Sequence, residues 1–234
     1  MEVKVLTKRS LIIIPAFNEE ASITDTVKSV EALKEFDYIV INDGSKDKTL
    51  EILEKNQFNY LDLPVNLGIG GAMQTGYKYA LRNNYDYAIQ LDADGQHNPK
   101  DLKKLIDEIE TKDYDMVIGS RFVEKTAYKG SFIRRLGIFY FYKLIHVLTG
   151  NKVTDPTSGY RIVNQKIIKE FSEYYPQDYP EVEVVVDLAK KGYKINEIRV
   201  DMNDRQGGVS SITPIKSIYY MIKVTYFSLV RKVF

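Results

Sequence analysis

Asp92-Ala93-Asp94-Gly95-Gln96 sets two carboxylates at i and i+2 directly after the apolar run Tyr87–Leu91. If the chain turns there, both acids can face one crevice. Their oxygens are hard donors suited to Mg²⁺ or Mn²⁺, ions that keep water and share the phosphates of a substrate. Gln96 adds a neutral oxygen to the set. An isolated pair of this kind is usually a solvated turn, so its neighbours must decide. An EF-hand is disfavoured, because the sixth position from Asp92 is His97 rather than Gly and the twelfth is Lys103. The chain has two histidines, His97 and His146, and no cysteine. Thiolate zinc sites, disulfides, cysteine nucleophiles and multi-histidine metal centres are therefore excluded.

The 234 residues suffice for one well-cored domain, with 44% apolar and 28% charged residues, close to globular averages. A net charge of +1 argues against a nucleic-acid binder working by bulk electrostatics. The charge is unevenly spread. Lys129, Arg134, Arg135, Lys143 and Lys152 occur in a stretch without an acid, and so do Lys216, Lys223, Arg231 and Lys232 in the tail. Both stretches are rich in Phe, Tyr, Ile and Leu, a combination that seeks a membrane surface. The N-terminal Met-Glu-Val-Lys has no signal pattern. The apolar stretch 136–149 contains Lys143 and falls short of the ~20 residues of a spanning helix. The expectation is a cytoplasmic protein, peripheral on the cytoplasmic face of the membrane.

The elements that must position the acids alternate. Apolar runs at 10–15, 38–42, 59–63, 87–91 and 116–119 are separated by helical spacings at 21–34, 48–56, 70–83 and 99–111. Such alternation predicts an α/β fold, with a mostly parallel, Rossmann-like sheet covered by helices on both faces. Ligands on such sheets bind beyond the carboxyl ends of the strands. Asn18-Glu19, Asp43-Gly44-Ser45 and Asp92-Ala93-Asp94 all follow strand candidates directly. After residue 120 come an apolar helix at 132–148, a polar turn at 155–161, a helix at 181–191 and a strand at 195–200. A loop at 205–211 precedes a final amphipathic helix. The expected division is a domain over 1–211 and an amphipathic helix over 212–234. Gly68-Ile69-Gly70-Gly71-Ala72 is not a dinucleotide fingerprint, since Met73 stands where the third glycine belongs.

Pro15-Ala16-Phe17-Asn18-Glu19, Asn42-Asp43-Gly44-Ser45 with Asp47, Asn66-Leu67-Gly68, Asp92-Ala93-Asp94 and Gly119-Ser120-Arg121 occur in that order. In this series the sequence resembles the inverting family 2 glycosyltransferases of the GT-A fold. Asp155-Pro156-Thr157-Ser158-Gly159-Tyr160-Arg161 and Arg205…Gly208-x-Ser210 make it most similar to the dolichyl- and polyprenyl-phosphate sugar synthases. The resemblance spans about residues 8–212. It implies that Pro15, Phe17, Glu19, Asp43, Asp92 and Ala93 border the nucleotide. It implies that Asp92, Asp94 and Gln96 hold Mg²⁺ or Mn²⁺ against the diphosphate, and that Arg121, Arg135, Arg205 and Ser210 meet acceptor or donor phosphate. Arg161 would brace its loop. Asp94, Arg121, Arg135 and Arg205 are thus the expected catalytic set.

Three positions depart from the family pattern: Asn42 in place of a first Asp, Ile69 where a Lys or Arg often stands, and Ser211 in place of a Lys. They leave the reaction class intact and leave sugar and base, UDP or GDP, open. The implied chemistry is transfer of a sugar from a nucleotide-sugar donor to a lipid-linked phosphate. A phosphate nucleophile is already ionised near neutral pH, so no strong base is required. Transfer to a sugar hydroxyl in polysaccharide assembly is the alternative, with Asp155, Glu181 or Glu183 as base. A non-catalytic nucleotide-sugar-binding subunit is the third. The expected partners are donor, lipid acceptor and membrane surface, with an integral-membrane protein or a second copy as alternatives for the tail helix, and no nucleic acid.

Overall fold

The computed structural model describes residues 8–123, 132–178, 180–203 and 214–230, with the backbone alone for 132–134 and 214–218. Its elements run β1 (Ser10–Ala16), α1 (Ile23–Glu31), β2 (Asp37–Asn42), α2 (Thr49–Lys55), β3 (Tyr60–Asp62), α3 (Gly68–Arg82) and β4 (Tyr87–Gln90). A 3-10 turn (Pro99–Asp101), α4 (Leu102–Lys112), β5 (Met116–Ser120) and α5 (Phe132–Thr149) follow. The chain then forms β6 (Arg161–Asn164), α6 (Gln165–Glu173), α7 (Pro180–Lys190), β7 (Ile195–Arg199) and α8 (Pro214–Val230).

The seven strands form one sheet in the order β3-β2-β1-β4-β6-β5-β7. β6 is antiparallel to β4 and β5, and every other pairing is parallel. Parallel strands are covered on both faces, which is why β1 is a continuous run rather than an alternation. Leu11 and Ile13 pack with Met73, Tyr77 and Ile145, while Ile12 and Ile14 pack with Val27, Leu53 and Leu105 on the opposite face. The α/β expectation with helices on both faces is met. All seven strands therefore bring their ends to one edge: the carboxyl ends of β1, β2, β3, β4, β5 and β7, and the amino end of the reversed β6.

Two elements were not expected. β6 and α6 fill 161–173, where the sequence shows a charged residue and a four-residue strand too short for a pattern. Asn164 starts α6 by accepting the Ile167 amide with its side chain. The helix expected at 99–111 opens as a 3-10 turn, with the Asn98 side chain accepting the Lys100 N–H and Pro99 in the first position. In α8, Tyr220 and Val224 are buried, whereas Tyr219, Ile222, Tyr226 and Leu229 of the expected apolar stripe are exposed. The helix is fastened by Lys190 Nζ donating to Ser228 O at 2.5 Å and by the Tyr140–Thr225 hydroxyl pair at 2.6 Å. Among the described residues no helix is long and apolar enough to cross a membrane.

α3 lies against β1 so closely that a Cβ on Gly76 would sit 2.3 Å from Ile13 Cγ2. On an exposed helix, Gly→Ala gains about 1 kcal/mol. Here the overlap should dominate, and Gly76→Ala is expected to lower stability by about 1–3 kcal/mol in urea unfolding. A midpoint equal to or above that of the parent would contradict the close approach.

Candidate active site

Asp92 follows β4 at the sheet edge, and its side chain is 35% exposed. Three neighbours fix it. Gln90 Nε2 lies 3.1 Å from Oδ1, His97 Nε2 lies 3.5 Å from Oδ2, and Gly159 backs the carboxylate. A Cβ at Gly159 would meet Gln90 Nε2 at 2.8 Å and Asp92 Oδ2 at 3.1 Å, so any larger residue would push these two side chains out of place. Asp94 is 3% exposed and accepts the Gln96 amide at 3.0 Å, the tight turn that Gly95 permits with φ of 75°. Between them Ala93 is buried, its carbonyl accepting the Thr26 hydroxyl at 2.9 Å from α1. The turn is tied on its far side to the segment after β7: Asn203 N donates to Gln96 O at 2.9 Å, and His97 bridges Met202.

His97 is the residue that sequence inspection passed over. Its ring is 5% exposed and stacks on Tyr160 at 4.6 Å between centroids. Nδ1 accepts the Asp92 backbone N–H at 3.0 Å. Burial holds the imidazole below its ordinary pKa, against the opposing pull of Asp92 and Asp94. The only signal available was its place in Asp-Gly-Gln-His, and a lone histidine beside a turn says little.

On the β1–β2 side, the loop 17–20 is laced to 45–49. Asn18 N donates to Ser45 Oγ, Glu19 N to Thr49 Oγ1 and Glu20 N to Asp47 Oδ2. Asn18 takes a left-handed φ of 56° to make the bend, which leaves Phe17 43% exposed above the buried Pro15. Asp43 is buried after β2. Its Oδ1 accepts the Leu67 amide at 2.7 Å, and its carboxyl is pushed up by burial while the Leu67 and Gly68 amides pull it down. Asn42, one of the departures from the family pattern, donates through Nδ2 to Asp62 Oδ1 at 2.6 Å. An Asp at 42 would face Asp62 as a like charge.

On the β5–β6 side, Arg121 and Asp155 form a buried fork: Nε to Oδ2 at 2.6 Å and Nη2 to Oδ1 at 2.7 Å, with Arg121 4% and Asp155 0% exposed. Asp155 N and Thr154 N both donate to Glu197, whose carboxyl is raised by burial. Arg161 is fully buried and donates to the carbonyls of Ser158 and Glu181. It ties the 155–161 turn to the start of α7. Glu181 heads α7, its carboxyl held above the ordinary range by burial and drawn back by Arg161. Arg135 is exposed on α5 and lines a groove of about 210 Å³ with Phe122, Ile138, Phe139, Tyr142 and Thr154. Arg205 and Ser210 lie outside the described residues.

The structure thus gathers Pro15, Phe17, Glu19, Asp43, Asp92, Ala93, Asp94, Gln96 and Arg121 along one sheet edge, and turns the Arg121 guanidinium to Asp155. Among the described residues no three His, Cys, Asp or Glu side chains form a metal cage. The hard oxygens of Asp92, Asp94 and Gln96 fit an open Mg²⁺ or Mn²⁺ site, because such ions usually take one or two carboxylates and complete their shell from water and phosphate. Removing one half of the buried fork leaves an unpaired charge. Arg121→Met is expected to cost about 3–5 kcal/mol in guanidinium unfolding, and a loss below about 1 kcal/mol would show that the fork does not hold the turn.

The sequence profile described as glycosyl transferase family 2 matches residues 11–172. The chain is similar to the polyprenol monophosphomannose synthase of Mycolicibacterium smegmatis, 27% identical over 93% of this chain and 86% of that protein. It is similar to the UDP-N-acetylglucosamine–dolichyl-phosphate N-acetylglucosaminyltransferase of Methanococcus voltae, 30% identical over 89% and 85%. Among solved structures it superposes on glucosyl-3-phosphoglycerate synthase from Mycobacterium tuberculosis, in complex with Mn²⁺, UDP-glucose and phosphoglyceric acid. That match has a TM-score of 0.76 at 17% identity, covering 97% of this chain and 81% of the other, and it identifies the fold as GT-A. The chain belongs to glycosyl transferase family 2 and is a glycosyltransferase of the GT-A fold.

Proposed function

We propose that the chain transfers a sugar, with inversion, from a UDP- or GDP-sugar to the phosphate of a polyprenyl or dolichyl lipid, with Mg²⁺ or Mn²⁺ bound by Asp92, Asp94 and Gln96. The observation that carries this is the state of the acids around Asp92. Asp155, one of the three candidate bases for transfer to a hydroxyl, is fully buried and forked to Arg121. A phosphate acceptor brings its own negative oxygen and needs no base. The names of the relatives above, a polyprenol monophosphomannose synthase and a dolichyl-phosphate N-acetylglucosaminyltransferase, support the same class.

The bound ion would offset the charge that builds on the departing nucleoside diphosphate. The chain's own residues do the rest. Phe17 and Glu19 border the nucleoside, and Asp43 accepts from ribose or base. Asp92, held from three sides, faces the diphosphate without turning away. Arg135 orients acceptor phosphate at the mouth of the apolar groove, and Arg205 and Ser210, which lie outside the described residues, are assigned to the same phosphate. Arg121 fixes the turn that closes this end of the crevice. The exposed Leu136, Phe139 and Val147 of α5 and Tyr219, Ile222 and Tyr226 of α8 rest on the membrane surface that supplies the lipid.

Transfer to a sugar hydroxyl is favoured by one observation, the raised carboxyl of Glu181 close to Arg161 and Asp92. Glu181→Gln separates the two. It should leave transfer to polyprenyl phosphate within a few-fold, and would abolish a reaction that uses Glu181 as base.

Radiolabelled UDP- and GDP-sugars, polyprenyl phosphate in detergent and Mn²⁺ form the direct assay. Label should enter the lipid phase only with the divalent ion. Asp92→Asn and Asp94→Asn should each lower it about a hundredfold or more without moving the unfolding midpoint. A folded preparation that transfers from no common donor, or full activity in both variants, would end the proposal.

A further inference from the structure

We propose that His97 is a positioning residue for the Asp92 carboxylate: a single imidazole grips the main chain and the side chain of the same aspartate and sets the direction in which that carboxylate meets its cation. The inference rests on the reading of Asp92 as a ligand of the donor's divalent ion.

Nδ1 of His97 accepts the Asp92 N–H at 3.0 Å, so in the neutral ring the proton sits on Nε2. Nε2 in turn lies 3.5 Å from Asp92 Oδ2, near enough to orient the carboxylate electrostatically. The ring has no freedom to swing. It is buried, it stacks on Tyr160 with planes 10° apart, and the Tyr160 hydroxyl donates to Asn98 O at 2.9 Å, the carbonyl of the next residue in the chain. The main chain of His97 is bridged to Met202, and the carbonyls of Gln96 and Gly95 accept from Asn203. The carboxylate is closed in elsewhere as well, by Gln90 Nε2 on Oδ1 and by the Gly159 backbone behind it. What remains open is the crevice. A buried histidine used only as filling would need its two nitrogens satisfied by any partners. Here both face one residue, and that residue heads the metal motif. Outer partners that orient a ligand typically matter by about 10–100-fold in metal affinity.

The test uses the full chain and two variants. In His97→Asn the side-chain oxygen replaces Nδ1 and keeps the Asp92 N–H satisfied, while the Nε2 edge is lost. Asp92→Asn serves as the control for the ligand itself. Mn²⁺ binding is titrated by electron paramagnetic resonance in the presence of UDP, and separately of GDP. The expected result is a 10–100-fold weaker Mn²⁺ affinity in His97→Asn, with an unfolding midpoint near that of the parent. In turnover, the metal concentration for half-maximal rate should rise by the same factor while kcat at saturating Mn²⁺ returns to within a few-fold. Mn²⁺ affinity unchanged in His97→Asn but weakened in Asp92→Asn overturns the role of His97 and leaves the metal reading standing. Affinity unchanged in both overturns the metal reading and this inference with it. Should His97→Asn fail to fold, ¹⁵N-resolved imidazole spectra of the parent decide the matter: protonation at Nε2 supports the grip, and protonation at Nδ1 refutes it.

Discussion

The buried fork between Arg121 and Asp155 is the interaction on which the rest of the site depends. It joins the carboxyl end of β5 to a turn 34 residues later, from which the chain re-enters the sheet at the crevice and runs away from it. β6 is accordingly antiparallel to both of its neighbours. Inserted between β4 and β5, it brings Gly159 behind Asp92 and Tyr160 under His97. A charge pair this deep adds little to stability over an apolar filling, since desolvation offsets most of the attraction. Its contribution is geometric: the planar fork admits one orientation, and that orientation fixes the wall of the crevice.

From that wall the site is built in two halves. The parallel half, β1 to β4, supplies loops that are hydrogen-bonded to one another, 17–20 to 45–49 and Asp43 to Leu67, and it forms the side proposed for the nucleotide. The other half, β5 to β7 with α5 and α8, carries the basic and apolar residues that suit an anionic lipid. Asp92 stands at the seam, on the last parallel strand before the reversed one. The seam is also where ligands bind in open α/β sheets, because loops there diverge and leave room.

The sequence is legible where local chemistry and final environment agree. β1 reads as a buried strand because it is apolar throughout, and Asp43 and Asp92 read as site residues because polar groups directly after such strands reach the crevice. Ala93 and Pro15 are named for the site by the resemblance alone. What could not be read is what distance in sequence conceals. Arg161 is fully buried yet heads a strand, so β6 looked like the tail of a polar turn. Arg121 was expected at phosphate; nothing in Gly119-Ser120-Arg121 announces an acid 34 residues away. His97 was invisible as a partner of Asp92, since both of its contacts depend on the turn at Gly95. The outward stripe of α8 was readable as a period, but not the neighbouring face, Tyr220 and Val224, by which the helix packs.

In the proposed reaction a lipid phosphate, not a hydroxyl, receives the sugar on the face opposite the leaving diphosphate. The most direct measurement is nuclear magnetic resonance of the product formed from a ¹³C-labelled donor and polyprenyl phosphate. The expected product shows a coupling between the anomeric carbon and phosphorus, and an anomeric configuration opposite to that of the donor. A product with no carbon–phosphorus coupling, or one that keeps the donor's configuration, would contradict the proposed reaction.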